Sequence, residues 1–182
     1  MLGSDERKAL LRHARQTISA RLGQDVPPGP LELKEPYRHA GAFVTLEVAR
    51  DLRGCIGYPG SEDRLDQVVA DCATAASSED PRFPPITARE LEGMEVEISV
   101  LTPIEPVDDA SEIEVGRDGL VVQEGRRRGL LLPQVAVEHG WDRETFLAHT
   151  CMKAGLRPDA WKKGASVLRF RAEVFSERDF GD

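Results

Sequence analysis

Residues 41–48 and 52–58 both read as strands, and only Ala49-Arg50-Asp51 separates them. So short a link leaves no room for the crossover a parallel pair requires, so the two runs pair antiparallel as a hairpin. The second half repeats the signal, with strand-like runs at 119–123 and 129–132 flanking Arg126-Arg127-Arg128. A helix and an alternating strand follow each hairpin. After the first, Leu65, Val68, Val69, Cys72 and Ala76 form one apolar stripe in a helix over 63–77. A short helix signalled by the capping-box pattern Thr87-x-x-Glu90 comes next, and then an alternating strand over 95–101. After the second hairpin come a short helical piece from Pro133 and a helix from the N-cap Asp142 to Ala154, closed by Gly155. The last strand is 167–175, and an amphipathic helix over 4–22 precedes everything. Hairpins mixed with helices give an α+β fold and argue against a doubly wound parallel sheet. The order reads as an internal repeat, roughly 41–103 and 112–175, inside one domain spanning 1–182.

Composition narrows the function classes. With 40% hydrophobic and 31% charged residues in 182, the chain reads as an ordinary soluble protein able to bury a core. A net charge of −8 argues against nucleic-acid binding through overall charge. The arginine run between Gly125 and Gly129 reads as a solvated turn. Cys55, Cys72 and Cys151 are too few and too scattered for a disulfide framework, and no signal peptide or membrane-length apolar run is present, which sets a cytoplasmic expectation. His13, His39, His139 and His149 lack zinc-site spacing, and no phosphate loop, nucleophile-elbow serine or iron–sulfur cysteine set occurs. No metal and no cofactor is called for.

The chemistry-bearing stretch is Leu52-Arg53-Gly54-Cys55-Ile56-Gly57-Tyr58. Strand alternation sets Arg53 and Cys55 on one face, where the cation would lower the thiol pKa and favour a nucleophilic or redox-active thiolate. Gly54 and Gly57 admit a ligand or another backbone at close range. The competing structural reading makes Cys55 a small packed residue. Cys72 and Cys151 lie on apolar helix stripes and read as core. Asp80-Pro81-Arg82-Phe83-Pro84-Pro85 is stiffened by its prolines, so Asp80, Arg82 and Phe83 are candidates for substrate or ligand contacts. Its structural reading is a helix-ending turn, with Phe83 plugged into the core and Asp80 paired to Arg82 or to a backbone N–H. Gln134, at the entry of a short helix, is a further candidate ligand contact.

Six segments in order carry a resemblance: 41–45 (GAFVT), 52–57 (LRGCIG), 80–85 (DPRFPP), 95–103 (EVEISVLTP), 129–135 (GLLLPQV) and 150–156 (TCMKAGL). Together they resemble the AMMECR family, whose prokaryotic members are called AmmeMemoRadiSam system protein A, over residues 4–175. The resemblance implies duplicated strand–helix–strand units on a curved, barrel-like, largely antiparallel sheet with flanking helices, in two closely packed subdomains with a cleft between them. It also implies a Memo-type protein and a radical SAM protein as partners. Any iron–sulfur chemistry would then belong to the partner.

Two functions follow. In one, the chain is a cysteine-dependent enzyme or enzyme subunit with Cys55 as thiolate in the cleft and Arg53 as its cation, but no base is adjacent in sequence. In the other, the same cleft makes a non-catalytic module that binds a small-molecule ligand or a protein.

Overall fold

The first hairpin closes as its spacing requires. In the computed structural model, which describes residues 2–34, 37 and 39–181, β1 (Gly41–Val48) pairs antiparallel with β2 (Asp51–Tyr58). Val48 faces Asp51, leaving Ala49 and Arg50 as a two-residue turn with φ of 53° and 70°. Positive φ at both positions is the hairpin turn that matches strand twist, usually supplied by Asn or Gly. The chain builds it from two side-chain-bearing residues at a strain of about 1 kcal/mol each.

The chain divides into two compact units, Met1–Leu101 with Glu173–Asp182, and Thr102–Ala172. In the first, β3 (Met94–Leu101) pairs antiparallel with the other edge of β1. Ala42, Val44, Leu46, Val96 and Ile98 alternate onto one face and are buried, while Phe43, Thr45, Glu47, Glu95 and Glu97 take the opposite face. Helix α1 (Ser4–Arg21) brings Leu10, Ala14 and Ile18 to that core, and α2 (Leu65–Ser78) brings Val68, Val69 and Cys72. Each fully buried aliphatic side chain contributes about 1.5–3 kcal/mol, so this face fixes the orientation of the strands.

The second unit pairs β5 (Asp118–Glu124) with β6 (Arg127–Leu131) across the turn residues Gly125 and Arg126. β5 also pairs with the first part of β7 (Ser166–Ser176), whose last residues belong to the first unit. A two-residue strand, β4 (Glu105–Pro106), lies on β7. Helices α3 (Pro133–Glu138) and α4 (Arg143–Lys153) complete the unit. Asp142 caps α4, its Oδ1 accepting from the Thr145 N–H at 2.8 Å, and Gly155 leaves the helix at φ 73°. Every strand pairing described is antiparallel, so the fold is α+β. No helix of the described residues is long and apolar enough to cross a membrane.

Candidate functional site

Gly54 and Gly57 are required by what packs on them. A Cβ on Gly54 would stand 2.0 Å from the Ala76 carbonyl oxygen, because the end of α2 lies directly on β2 there. A Cβ on Gly57 would meet the Phe43 ring at 2.2 Å, since Phe43 is its cross-strand partner and lays its ring over the bare backbone. Both spaces are therefore filled by the protein's own atoms.

Strict alternation breaks between these glycines and the turn. Leu46 faces Gly54 but Glu47 faces Leu52, so Arg53 is the extra residue of a β-bulge. A bulge re-aims a side chain, and the Arg53 guanidinium goes to Glu90 Oε1 at 2.7 Å and the Pro84 carbonyl at 3.1 Å. Arg53, ahead of the Thr87 N–H and hydroxyl, pulls the Glu90 carboxyl down to about 2. The guanidinium bonded to the Cys55 residue is instead that of Arg82, whose Nη2 donates to the Cys55 carbonyl oxygen at 3.4 Å. The charge of Arg82 is held by Asp80 first, with the Cys55 sulfur adding to the same effect.

Cys55 sits on a sheet edge that is capped by side chains. Among the described residues β2 pairs with β1 alone, and an unpaired edge invites another strand. Here Asp80 Oδ2 accepts the outward Cys55 N–H at 2.9 Å while Arg82 serves the carbonyl. The two side chains are themselves joined by a two-point bond, at 2.7 and 3.0 Å. Asp80 is 2% exposed and Arg82 54%. The Arg82 guanidinium, more than the N–H groups of Cys55 and Arg82, holds the Asp80 carboxyl well below the usual carboxylate range. Phe83 is half-buried beneath the Arg82 guanidinium, 5.3 Å from it, and the buried plug of this turn is Ile86.

The half-buried Cys55 thiol heads a row of polar side chains. Thr45 pairs with Cys55 on one side and with Glu97 on the other, and its hydroxyl donates to Cys55 Sγ at 3.2 Å. Burial, then the carboxylates of Glu47, Asp179 and Glu95, push the Glu97 carboxyl above its usual value, with Arg178 opposing. Glu97 can thus carry a proton where ordinary carboxylates do not. Thr45 and Glu97 were not singled out as site residues from sequence. Their signal was present, since each is a polar residue on the non-core side of an alternating strand. The other thiols are sealed in: burial pushes Cys72 up to about 12 and Cys151 upward as well. Gln134 lies in the second unit, in the first turn of α3. Among the described residues no three His, Cys, Asp or Glu side chains gather as a metal site.

The AMMECR1 family model matches residues 11–175 of this chain. A Thermofilum pendens protein is 46% identical over 97% of this chain and 92% of its own length. A Methanothermobacter thermautotrophicus protein is 47% identical over 97% and 96% of the two chains. Among solved structures, the crystal structure of the uncharacterized protein PH0010 from Pyrococcus horikoshii is similar with a TM-score of 0.80 at 42% identity. That match covers 92% of this chain and 89% of that one.

Proposed function

Starting from a chain that belongs to the AMMECR1 family, we propose that it is a cysteine-dependent enzyme or enzyme subunit whose chemistry centres on Cys55. The observation that carries this reading is the cross-strand row Cys55–Thr45–Glu97. The Thr45 hydroxyl points its proton at the sulfur, the arrangement a thiolate accepts, while the Arg82 guanidinium is paired with Asp80 and reaches Cys55 only at its carbonyl. Glu97, directly across from Thr45 and two strand spacings from Cys55, is the carboxyl this reading assigns as acid–base group. Its proton exchange with the thiol and the leaving group would run through a bridging water or the substrate and not by direct contact. Arg53 has no part in this scheme, because Glu90 holds its charge. Memo-type and radical SAM proteins are the proposed partners of the same site.

The test is the alkylation rate of Cys55 by iodoacetamide at pH 7. Thr45→Val and Glu97→Gln are each expected to slow it about threefold or more, the scale of one lost hydrogen bond, with thermal midpoints near the parent's. Unchanged rates in both variants would remove Glu97 and Thr45 from the reaction.

A second reading, a non-catalytic ligand- or protein-binding module, is favoured by the way Asp80 and Arg82 are fixed on the β2 edge with Phe83 beside them. Under it, Cys55→Ser retains pull-down of a Memo-type or radical SAM protein while Arg82→Ala and Phe83→Ala lose it. Capture that depends on Cys55 and is indifferent to both other residues rejects that module.

A further inference from the structure

The sheet face that carries Glu97 carries two more carboxylates beside it. Glu47 on β1 and Glu95 on β3 are direct cross-strand partners, and Glu97 follows Glu95 by two residues on the same face. Like charges directly opposite each other destabilise a strand pair. One guanidinium answers both: Arg178 donates from Nη2 to Glu47 Oε2 at 2.5 Å, and its Nε lies 2.5 Å from Glu95 Oε2. Glu97 itself makes no ion pair among the described residues.

The turn that delivers Arg178 follows β7 and spans Glu177–Phe180. It is anchored on both sides of that residue. Glu177 accepts the Arg15 guanidinium from α1 on both oxygens, each at 2.6 Å, and the Val96 N–H from β3 at 2.9 Å. Asp179 Oδ2 accepts the Ser176 N–H at 2.6 Å, and Phe180 packs against the first unit's core. Arg178 and Asp179 are therefore held in place beside this face. Each element packed here brings its own charge to Glu97. β1 offers Glu47, β3 offers Glu95, the turn offers Arg178 and Asp179, and β2 offers the Cys55 thiol at the far end of the row. Glu177 is spent on Arg15. Burial weighs most, and after it Glu47 and Asp179 favour the protonated form of Glu97, while Arg178 favours the charged one.

We propose that this turn sets the charge of the Cys55 site, Glu97 being the acid–base group of that row as proposed above. Arg178 and Asp179 are positioning residues that act through Glu97 in opposite senses, the first keeping its carboxylate available and the second favouring its protonated form. Opposite senses separate charge from packing, since a turn merely loosened by either substitution would move Glu97 one way in both.

The test follows the Glu97 carboxyl carbon by 13C NMR through a pH titration of the full chain, with the signal assigned by its loss in Glu97→Gln. Arg178→Gln is expected to move the Glu97 titration to higher pH, and Asp179→Asn to lower pH. Asn can still accept the Ser176 N–H, and Arg178→Lys keeps the charge and should titrate near the parent. On the acid limb of the iodoacetamide profile of Cys55, few Glu97 carboxyls are ionised. There the rate should fall about threefold in Arg178→Gln and rise about threefold in Asp179→Asn, the scale of one partly exposed ion pair. Both rate changes should vanish in a Glu97→Gln background. Titrations that move the same way in both variants, or in neither, overturn the proposal, and so do rate changes that persist without Glu97. Opposed titrations with unchanged alkylation support the turn's hold on Glu97 and remove Glu97 from the Cys55 reaction.

Discussion

The two units solve one packing problem and then differ in how they finish it. In the first, Gly54 on β2 takes the end of α2, with the Ala76 carbonyl against its backbone. In the second, Gly129 on β6 takes the end of α4, where a Cβ would stand 2.3 Å from the Ala154 nitrogen. Each helix is followed by proline between opposite charges, Asp80-Pro81-Arg82 in one and Arg157-Pro158-Asp159 in the other. Only the first pair is laid on a strand. Asp80 is buried against Cys55, whereas Arg157 is 81% exposed and bonds Asp159 at 3.4 Å. The strand residue after the glycine is Cys55 in one unit and Leu130 in the other. The same helix-on-glycine contact thus accompanies a thiol, a capped edge and a carboxyl held above its usual value in the first unit, and an ordinary hairpin in the second.

The comparison breaks first at the glycines. Gly54→Ala and Gly129→Ala should each lose about 2–3 kcal/mol or more of stability by overpacking against helix backbone, read as urea midpoints. Tolerance of one and not the other would mean that the two helix–strand contacts are not alike. Next in size is Asp80→Asn, expected to lose about 2 kcal/mol by leaving Arg82 and the Cys55 N–H poorly served. Asp159→Asn should stay within about 0.5 kcal/mol of the parent, as exposed substitutions do.

That asymmetry has a pH signature. The folded-state value of Asp80 is lowered, so its stabilisation is complete above the ordinary carboxylate range and is lost as pH falls through the folded value. Glu90 behaves alike, losing its contribution between about 4.5 and about 2. The gap in urea midpoint between the parent and Asp80→Asn should therefore be widest at pH 7 and shrink below pH 4. A gap constant down to pH 2 would show that the Asp80 charge does not matter. A small stability effect is also expected from Cys55→Ser, about 1 kcal/mol or less, because the thiol is half-buried and its hydrogen bond from Thr45 can be kept.

Much of this was legible in the sequence. β1 runs over 41–48 as its alternation indicated, Asp142 does cap α4, and the Thr87-x-x-Glu90 pattern does close a capping box. The belonging to this family was legible too, from six ordered motifs. What was not legible was local and non-periodic. A period-2 rule cannot foresee that Arg53 is the bulged residue, because the bulge is fixed by pairing with Leu46 and Glu47. The same rule leaves open that Ile86, three residues past Phe83, fills the core. Thr45 and Glu97 became site residues only once β1 was seen between β2 and β3, since pairing across strands is information no single strand contains. β4, at two residues, carries no period at all.

The central claim is that the setting of Cys55 makes its sulfur chemically competent, and one measurement addresses it directly. The rate of iodoacetamide alkylation of Cys55 at pH 7 is compared between the native chain and the same chain unfolded in urea, with each thiol followed by peptide mass. Cys72 and Cys151, both fully buried, should label only after unfolding. Cys55 should react faster in the native chain than in the unfolded one, despite being half-buried. A native rate equal to or below the unfolded rate would contradict the account and leave Cys55 as a packed residue on a capped edge.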